Sequence, residues 1–262
     1  MKMDVQTFVQ RIGKLPSLPI VYQELVSAIE HPNTSIEDIG HILRKDQSLA
    51  TRLLRLANSA LYGFPSEIAT LEEAAQLIGL KEIRDLTLAT SVIKAFEGVP
   101  PELVDVTAFW KHSIACGIAC SLLAEERHDP ASERFFVGGL LHDVGRLILF
   151  LKAPEQAREV HKRCEDSGEL VIRVEMDVLG FEHAALGAEL ATLWRLPVSL
   201  REMVRCHHNP ARSTGFGVDA YTVHFADFLT TALEFGNSGE MLLSPLVPQQ
   251  AGDQRLIEDD RG

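Results

Sequence analysis

Residues Phe135 to Phe150, FFVGGLLHDVGRLILF, constrain this chain more than any other stretch. The run is apolar almost end to end, yet His142 and Asp143 stand side by side in its middle. A carboxylate in such surroundings costs on the order of several kcal/mol unless it is hydrogen-bonded, paired or bound to a metal. Whatever fold the chain adopts must bring partners to Asp143. A second His-Asp pair, His128-Asp129, lies in a polar run before Pro130 and reads as a solvated helix end.

Candidate partners interrupt other apolar segments of the second half: His112, His183, His207, His208 and Asp227. With the central pair they make five His and two Asp spread over five expected helices. Imidazole and carboxylate together suit a divalent transition metal such as zinc, iron, manganese, nickel or cobalt. A helical bundle can direct such groups inward from facing helices. Successive helix residues point about 100° apart, so adjacent ligands reach one ion only from a helix end or bend; Gly145 is positioned to supply one. Asp143 could bridge two ions. The plainer alternative is a set of ordinary core or helix-end residues. On it, His207-His208 is a polar end before Asn209-Pro210, and Asp227 a cap or ion-pair partner. His31, His41, His128, His161 and His224 are left outside the set, His224 being the nearest to inclusion because it lies close to Asp227 at helical spacing.

The rest of the chain predicts an all-α fold. Val5, Phe8, Val9 and Ile12 repeat at helical spacing, and Leu15-Pro16-Ser17-Leu18-Pro19 breaks the chain after them. Thr34 with Glu37 and Thr70 with Glu73 read as capping boxes, and Asp46 as an N-cap. Gly98-Val99-Pro100-Pro101 is the strongest break. It divides a helical part, 1–98, from a second, 99–235, that holds the seven polar residues. From Gly236 to Gly262 the composition turns to Gly, Pro, Gln and acid, which predicts a flexible or loosely docked tail. In the long helix after the break, Ala115, Gly117 and Ala119 permit a close helix crossing.

Composition excludes some classes. A net charge of −12 argues against general nucleic-acid binding, which requires a basic face. No run approaches the roughly 20 apolar residues of a membrane helix, and the N-terminus has no apolar signal core, so a cytoplasmic location is expected. The four Cys form no CxxC pair, which argues against a zinc ribbon.

The order of the set, an early His, then His-Asp, a later His, paired His and a final Asp, resembles the HD superfamily of metal-dependent phosphohydrolases. LPSLP, LRKDQSLATRLLRLANSALYG and AAQLIGLKEIRDLTL, with GLLHDVGR, resemble the HDOD family, the HD-related output domain of bacterial signalling proteins. The similarity spans about residues 10 to 235. It implies two packed helical parts and a signalling or regulatory role. Many members look catalytically degenerate, whereas this sequence is similar to ligand-complete relatives, including the HD-GYP phosphodiesterases that cleave cyclic di-GMP. By that resemblance His112, His142, Asp143 and Asp227 hold one metal, and Asp143 bridges to a second held by His183, His207 and His208. The chain departs from HD-GYP proteins in three places. Arg146 stands where they have Lys, no Gly-Tyr-Pro follows the paired His, and Ala108 stands where trinuclear relatives have Glu.

Two functions are compatible with these residues. One is a regulatory module, with a protein partner on the N-terminal part, where Arg52, Arg55 and Asn58 share a helical face beside Tyr62 and Phe64, and with a nucleotide or phosphate ligand at the metal site. The other is a metal-dependent phosphohydrolase or phosphodiesterase, with Asp143 and Arg146 as its catalytic residues.

Overall fold

The computed structural model describes residues 3–59, 62–129, 131–240 and 242–247. Among them are fourteen α-helices, one 3-10 turn and no strand, so the all-α expectation holds. Helices α2 (Ile20–Glu30), α3 (Ile36–Leu43), α4 (Gln47–Ala57), α5 (Leu71–Ile78) and α6 (Leu80–Ala95) enclose one apolar cluster, with Leu25, Ile39, Leu43, Leu53 and Ile83 fully buried. A larger cluster is built by α7 (Val106–Glu126), α8 (Glu133–Leu141), α9 (Val144–Lys152), α12 (His183–Leu193), α13 (Val198–Cys206) and α14 (Gly217–Ala232). Helices α10 (Pro154–Ser167) and α11 (Val171–Val178) close a third, small one.

The clusters do not part at residue 98. Helix α6 serves both, with Ile83 and Leu86 on one side and Leu88, Val92 and Phe96 on the other. Helix α1 (Val5–Ile12) and the LPSLP segment join the larger body: Phe8 packs on Phe181 with ring centroids 4.9 Å apart, and Trp194 donates its indole N–H to the Pro16 carbonyl at 2.9 Å. Burying Phe8, Leu15 and Leu18 is worth roughly 1.5–3 kcal/mol each, which explains why short amphipathic segments cross over.

Local signals mostly acted as expected. Asp46 caps α4 by accepting from the Leu49 N–H, and Thr70 caps α5 by accepting from the Glu73 N–H. The first capping box falls one residue later than Thr34–Glu37. Thr34 donates its N–H to His31 in a turn, so Ser35 takes the extended cap position and pairs reciprocally with Asp38. Helix α7 is long and apolar enough to cross a membrane by length and composition alone, more so than the sequence suggested. Here it packs as a core helix, burying Phe109, Trp110, Cys116, Cys120 and Ala124. It crosses α8 so closely that a Cβ on Gly139 would stand 2.7 Å from the Gly117 Cα. That crossing sets the middle of α7 against the end of α8.

The expected partner face on α4 is partly used internally. Arg52 pairs with Glu97 at 3.2 Å. The Asn58 side chain clips the Ile68 backbone, accepting from its N–H at 2.7 Å and donating to its carbonyl at 2.8 Å. Tyr62 and Phe64 stack on each other and are partly buried against the α2–α6 cluster.

Candidate metal centre

The helix breaks at the His142-Asp143 pair. Helix α8 ends at Leu141, and Asp143 leaves helical geometry (φ −96°, ψ 6°) before α9 begins at Val144. His142 and Asp143 therefore sit at a helix junction, the geometry that adjacent ligands require. The bend lies at Asp143 itself. Gly145 stands inside α9 and serves another purpose: a Cβ there would collide with the His183 carbonyl and lie 2.8 Å from the Gly187 N, so its absence lets α12 pack against α9.

All seven residues singled out in the sequence meet at this junction, in two adjoining groups. His112, in mid-α7, places Nε2 3.1 Å from Asp227 Oδ1 of α14, and His142 Nε2 is 3.6 Å from the same oxygen. In the other group, Asp143 Oδ1 lies 3.0 Å from His183 Nε2 and 3.6 Å from His207 Nε2. His208 Nε2 is 3.0 Å from His183 Nε2. Asp143 belongs to both, since its Oδ2 is 3.3 Å from His142 Nε2. All seven residues are buried, the most exposed being His208 at 8%.

The hydrogen bonds on the far side of the rings fix what faces inward. His142 Nδ1 meets the Gly139 carbonyl at 2.6 Å, and His207 Nδ1 meets the Val204 carbonyl at 2.7 Å. A carbonyl only accepts, so both Nδ1 atoms carry protons, and a neutral ring then presents a bare Nε2 lone pair to the centre. His142 Nε2 and His207 Nε2 lack hydrogen-bond partners, and Asp143 Oδ1 has none while the His183 Nε2 beside it is unprotonated. Buried acceptors aimed at one another demand positive charge between them. Protons or a metal cation can supply it. Burial works against the His142 imidazolium, but the Asp143 carboxylate holds its pKa well above the usual range. Burial likewise opposes His183, yet Glu175 and Asp143 push it up to about 10. Asp143 and Asp227 titrate far below ordinary carboxylates; burial opposes this and the surrounding His rings outweigh it. Burial lowers His207 and His208, so both favour the neutral, ligating form. A divalent cation fits this donor set.

Glu175 is a member of the site that sequence reasoning missed. It is 1% exposed, and its Oε2 accepts from both the backbone N–H and the Nδ1–H of His183, each at 2.8 Å. A carboxylate behind a ligating imidazole fixes its tautomer and raises its basicity, and losing such a partner costs about 10–100-fold in metal affinity. Glu175→Gln is therefore expected to weaken metal binding by roughly that factor while leaving the helices formed; metal titration with circular dichroism checks it. His224 stays outside the inner set: its Nδ1 donates to the His207 carbonyl at 2.7 Å. Arg146, one turn into α9, is 5% exposed, with Nη1 3.4 Å from Glu240 Oε1 and Nε unpartnered.

Fold and site together define an all-α module with a buried centre of His and Asp residues. The HDOD domain family profile matches residues 15–210. The chain belongs to the HDOD family. A solved HDOD domain protein of unknown function from Geobacter sulfurreducens superposes with a TM-score of 0.80 at 24% identity, covering 92% of this chain and 81% of its own. A structure from Shewanella amazonensis SB2B, named for an inferred phosphohydrolase activity, gives a TM-score of 0.75 at 26% identity over 86% of this chain and 80% of its own. An uncharacterized protein of Treponema pallidum (strain Nichols) is 28% identical over 203 residues, 76% of this chain. The chain spans only 38% of that relative's length.

Proposed function

We propose that this chain is a regulatory HDOD module that holds two divalent transition-metal ions and reads a phosphate-bearing ligand, a nucleotide or cyclic dinucleotide, at the metal centre. One observation carries the reading: five His and two Asp from five parts of the fold converge, buried, with His142 Nε2, His207 Nε2 and Asp143 Oδ1 facing inward. His112, His142 and Asp227 would hold one ion, and His183, His207 and His208 the other, with Asp143 shared. The ions would supply Lewis acidity toward a phosphoryl oxygen. Arg146 adds a guanidinium suited to a phosphate. It hardly ever releases its proton at neutral pH, so it is no general acid.

The completeness of the ligand set favours hydrolysis as a second reading. Coverage of the centre by residues 236–240, with Arg146 already engaged by a carboxylate, favours binding over turnover. A protein partner would dock on the α2–α6 body, where Arg55 is exposed. Elemental analysis of the purified chain is expected to find two ions. At a metal concentration about 100 times Kd, binding contributes about 2.7 kcal/mol. Losing one ion should then lower Tm by roughly 5–10 °C, and chelating both by about twice that. A panel of nucleotides and cyclic dinucleotides, assayed with manganese or iron(II), should bind without turnover. Turnover that Asp143→Ala abolishes would replace the regulatory reading with the hydrolytic one.

A further inference from the structure

After α14 the chain turns back across the centre. Glu234 and Gly236 take positive φ (57° and 77°), and the Phe235 N–H bonds to the Thr230 carbonyl at 3.0 Å. The Asn237 N–H then donates to the Ala108 carbonyl at 3.0 Å. A Cβ on Gly236 would collide with that carbonyl and lie 2.5 Å from the His112 N, so a glycine alone lets the segment lie on α7 beside a candidate ligand. Ser238 is 4% exposed. Gly239, at φ 94°, lies so near Arg146 that a Cβ would be 3.1 Å from its Nη2. Glu240 follows, and its side chain and that of Arg146 are 8% and 6% exposed. Val247 adds a second anchor, donating its N–H to His224 Nε2 at 2.9 Å. Beside this strap lies a cavity of about 290 Å³, lined by His112, Thr231, Asn237 and Glu240 among others.

The Arg146–Glu240 pair is poorly made for a permanent lock. One Nη1–Oε1 contact of 3.4 Å joins them, and the guanidinium Nε has no partner. A phosphate would meet the guanidinium fork with two parallel hydrogen bonds. A carboxylate standing on a cation that a phosphate would satisfy better is a stand-in.

We propose that Glu240 is a built-in competitor for the anion site of Arg146, so that a phosphate-bearing ligand enters the centre by displacing the 236–240 strap. This rests on Arg146 as the phosphate-binding cation of the centre described above. The test uses the full metal-loaded chain, with inorganic phosphate as the probe. Glu240→Gln keeps the volume and removes the charge. It is expected to bind phosphate roughly tenfold more tightly, as when an unfavourable opening step is relieved, and adding Arg146→Ala should abolish the gain. In the wild-type chain, saturating phosphate should speed amide exchange at residues 236–240. Wild-type phosphate affinity in Glu240→Gln, or strap exchange indifferent to phosphate, overturns the proposal. Metal counted on the same samples separates the two failures. A chain without metal defeats the centre, while Arg146-dependent phosphate binding that opens the strap still upholds the competitor.

Discussion

Asp143→Asn is expected to abolish metal binding in both halves of the centre. Asp143 is the one residue whose two carboxylate oxygens face different groups: Oδ1 lies 3.0 Å from His183 Nε2, and Oδ2 3.3 Å from His142 Nε2. An amide in its place offers one neutral oxygen and points an N–H₂ at one of the two groups, where it repels a cation. Losing a partner behind a ligand already costs about 10–100-fold in metal affinity, so losing a shared, charged ligand should exceed about 100-fold. The comparison that isolates sharing uses one residue from each half. His208→Gln should release one ion and leave the other; Asp227→Asn should do the same for the opposite half. Metal content after dialysis against a weak chelator reads all three variants. If Asp143→Asn kept one ion as firmly as either of the others, the carboxylate would belong to a single half, and the centre would be two separate sites.

Much of this centre could be read before any coordinates. Asp143 was legible because its surroundings, GLLHDVGRLILF, leave a charge nowhere to go without partners. His112, His183 and Asp227 were legible for the same reason, each breaking an apolar helix. Glu175 was not. In VIRVEMDV it alternates with Arg173 and Asp177, which imitates a solvated face. The signal lay in helical phase: Val171, Val174 and Val178 mark the inward stripe of α11, and Glu175, four residues after Val171, falls on it. The strap was illegible for a different reason. GNSGE has the composition of a loose tail, and what holds it is backbone, the Asn237 N–H on Ala108 and the bare Cα of Gly236 against α7. Composition does not encode such contacts. Hydrophobic spacing shows that a helix buries a face and is silent about which cluster it covers. Helix α1 and LPSLP went to the second body, and α6 to both.

Gly145→Ala is expected to cost at least about 3 kcal/mol, at the upper end of what overpacking a core usually costs. The sign runs against helix propensity, since alanine inside an exposed helix normally gains about 1 kcal/mol over glycine. The reason is what the new methyl would meet. Around Gly145 the nearest atoms are backbone, the His183 carbonyl and the Gly187 N, and no rotamer change clears them. Helix α12 must move away from α9, and α12 begins at His183. The displacement therefore pulls His183 Nε2 off Asp143, so metal bound by that half should fall together with stability. Gly40→Ala is the control. The atoms nearest its Cβ would belong to the Glu72 side chain, which can swing aside at the expense of an ion pair with Arg44, so the change should be small and metal content unaltered. Urea unfolding and metal analysis on both variants decide the matter. A Gly145→Ala chain that gains stability and keeps its metal would mean that the tight approach of α9 and α12 does not hold His183 in place, and the positioning of the second group would need another cause.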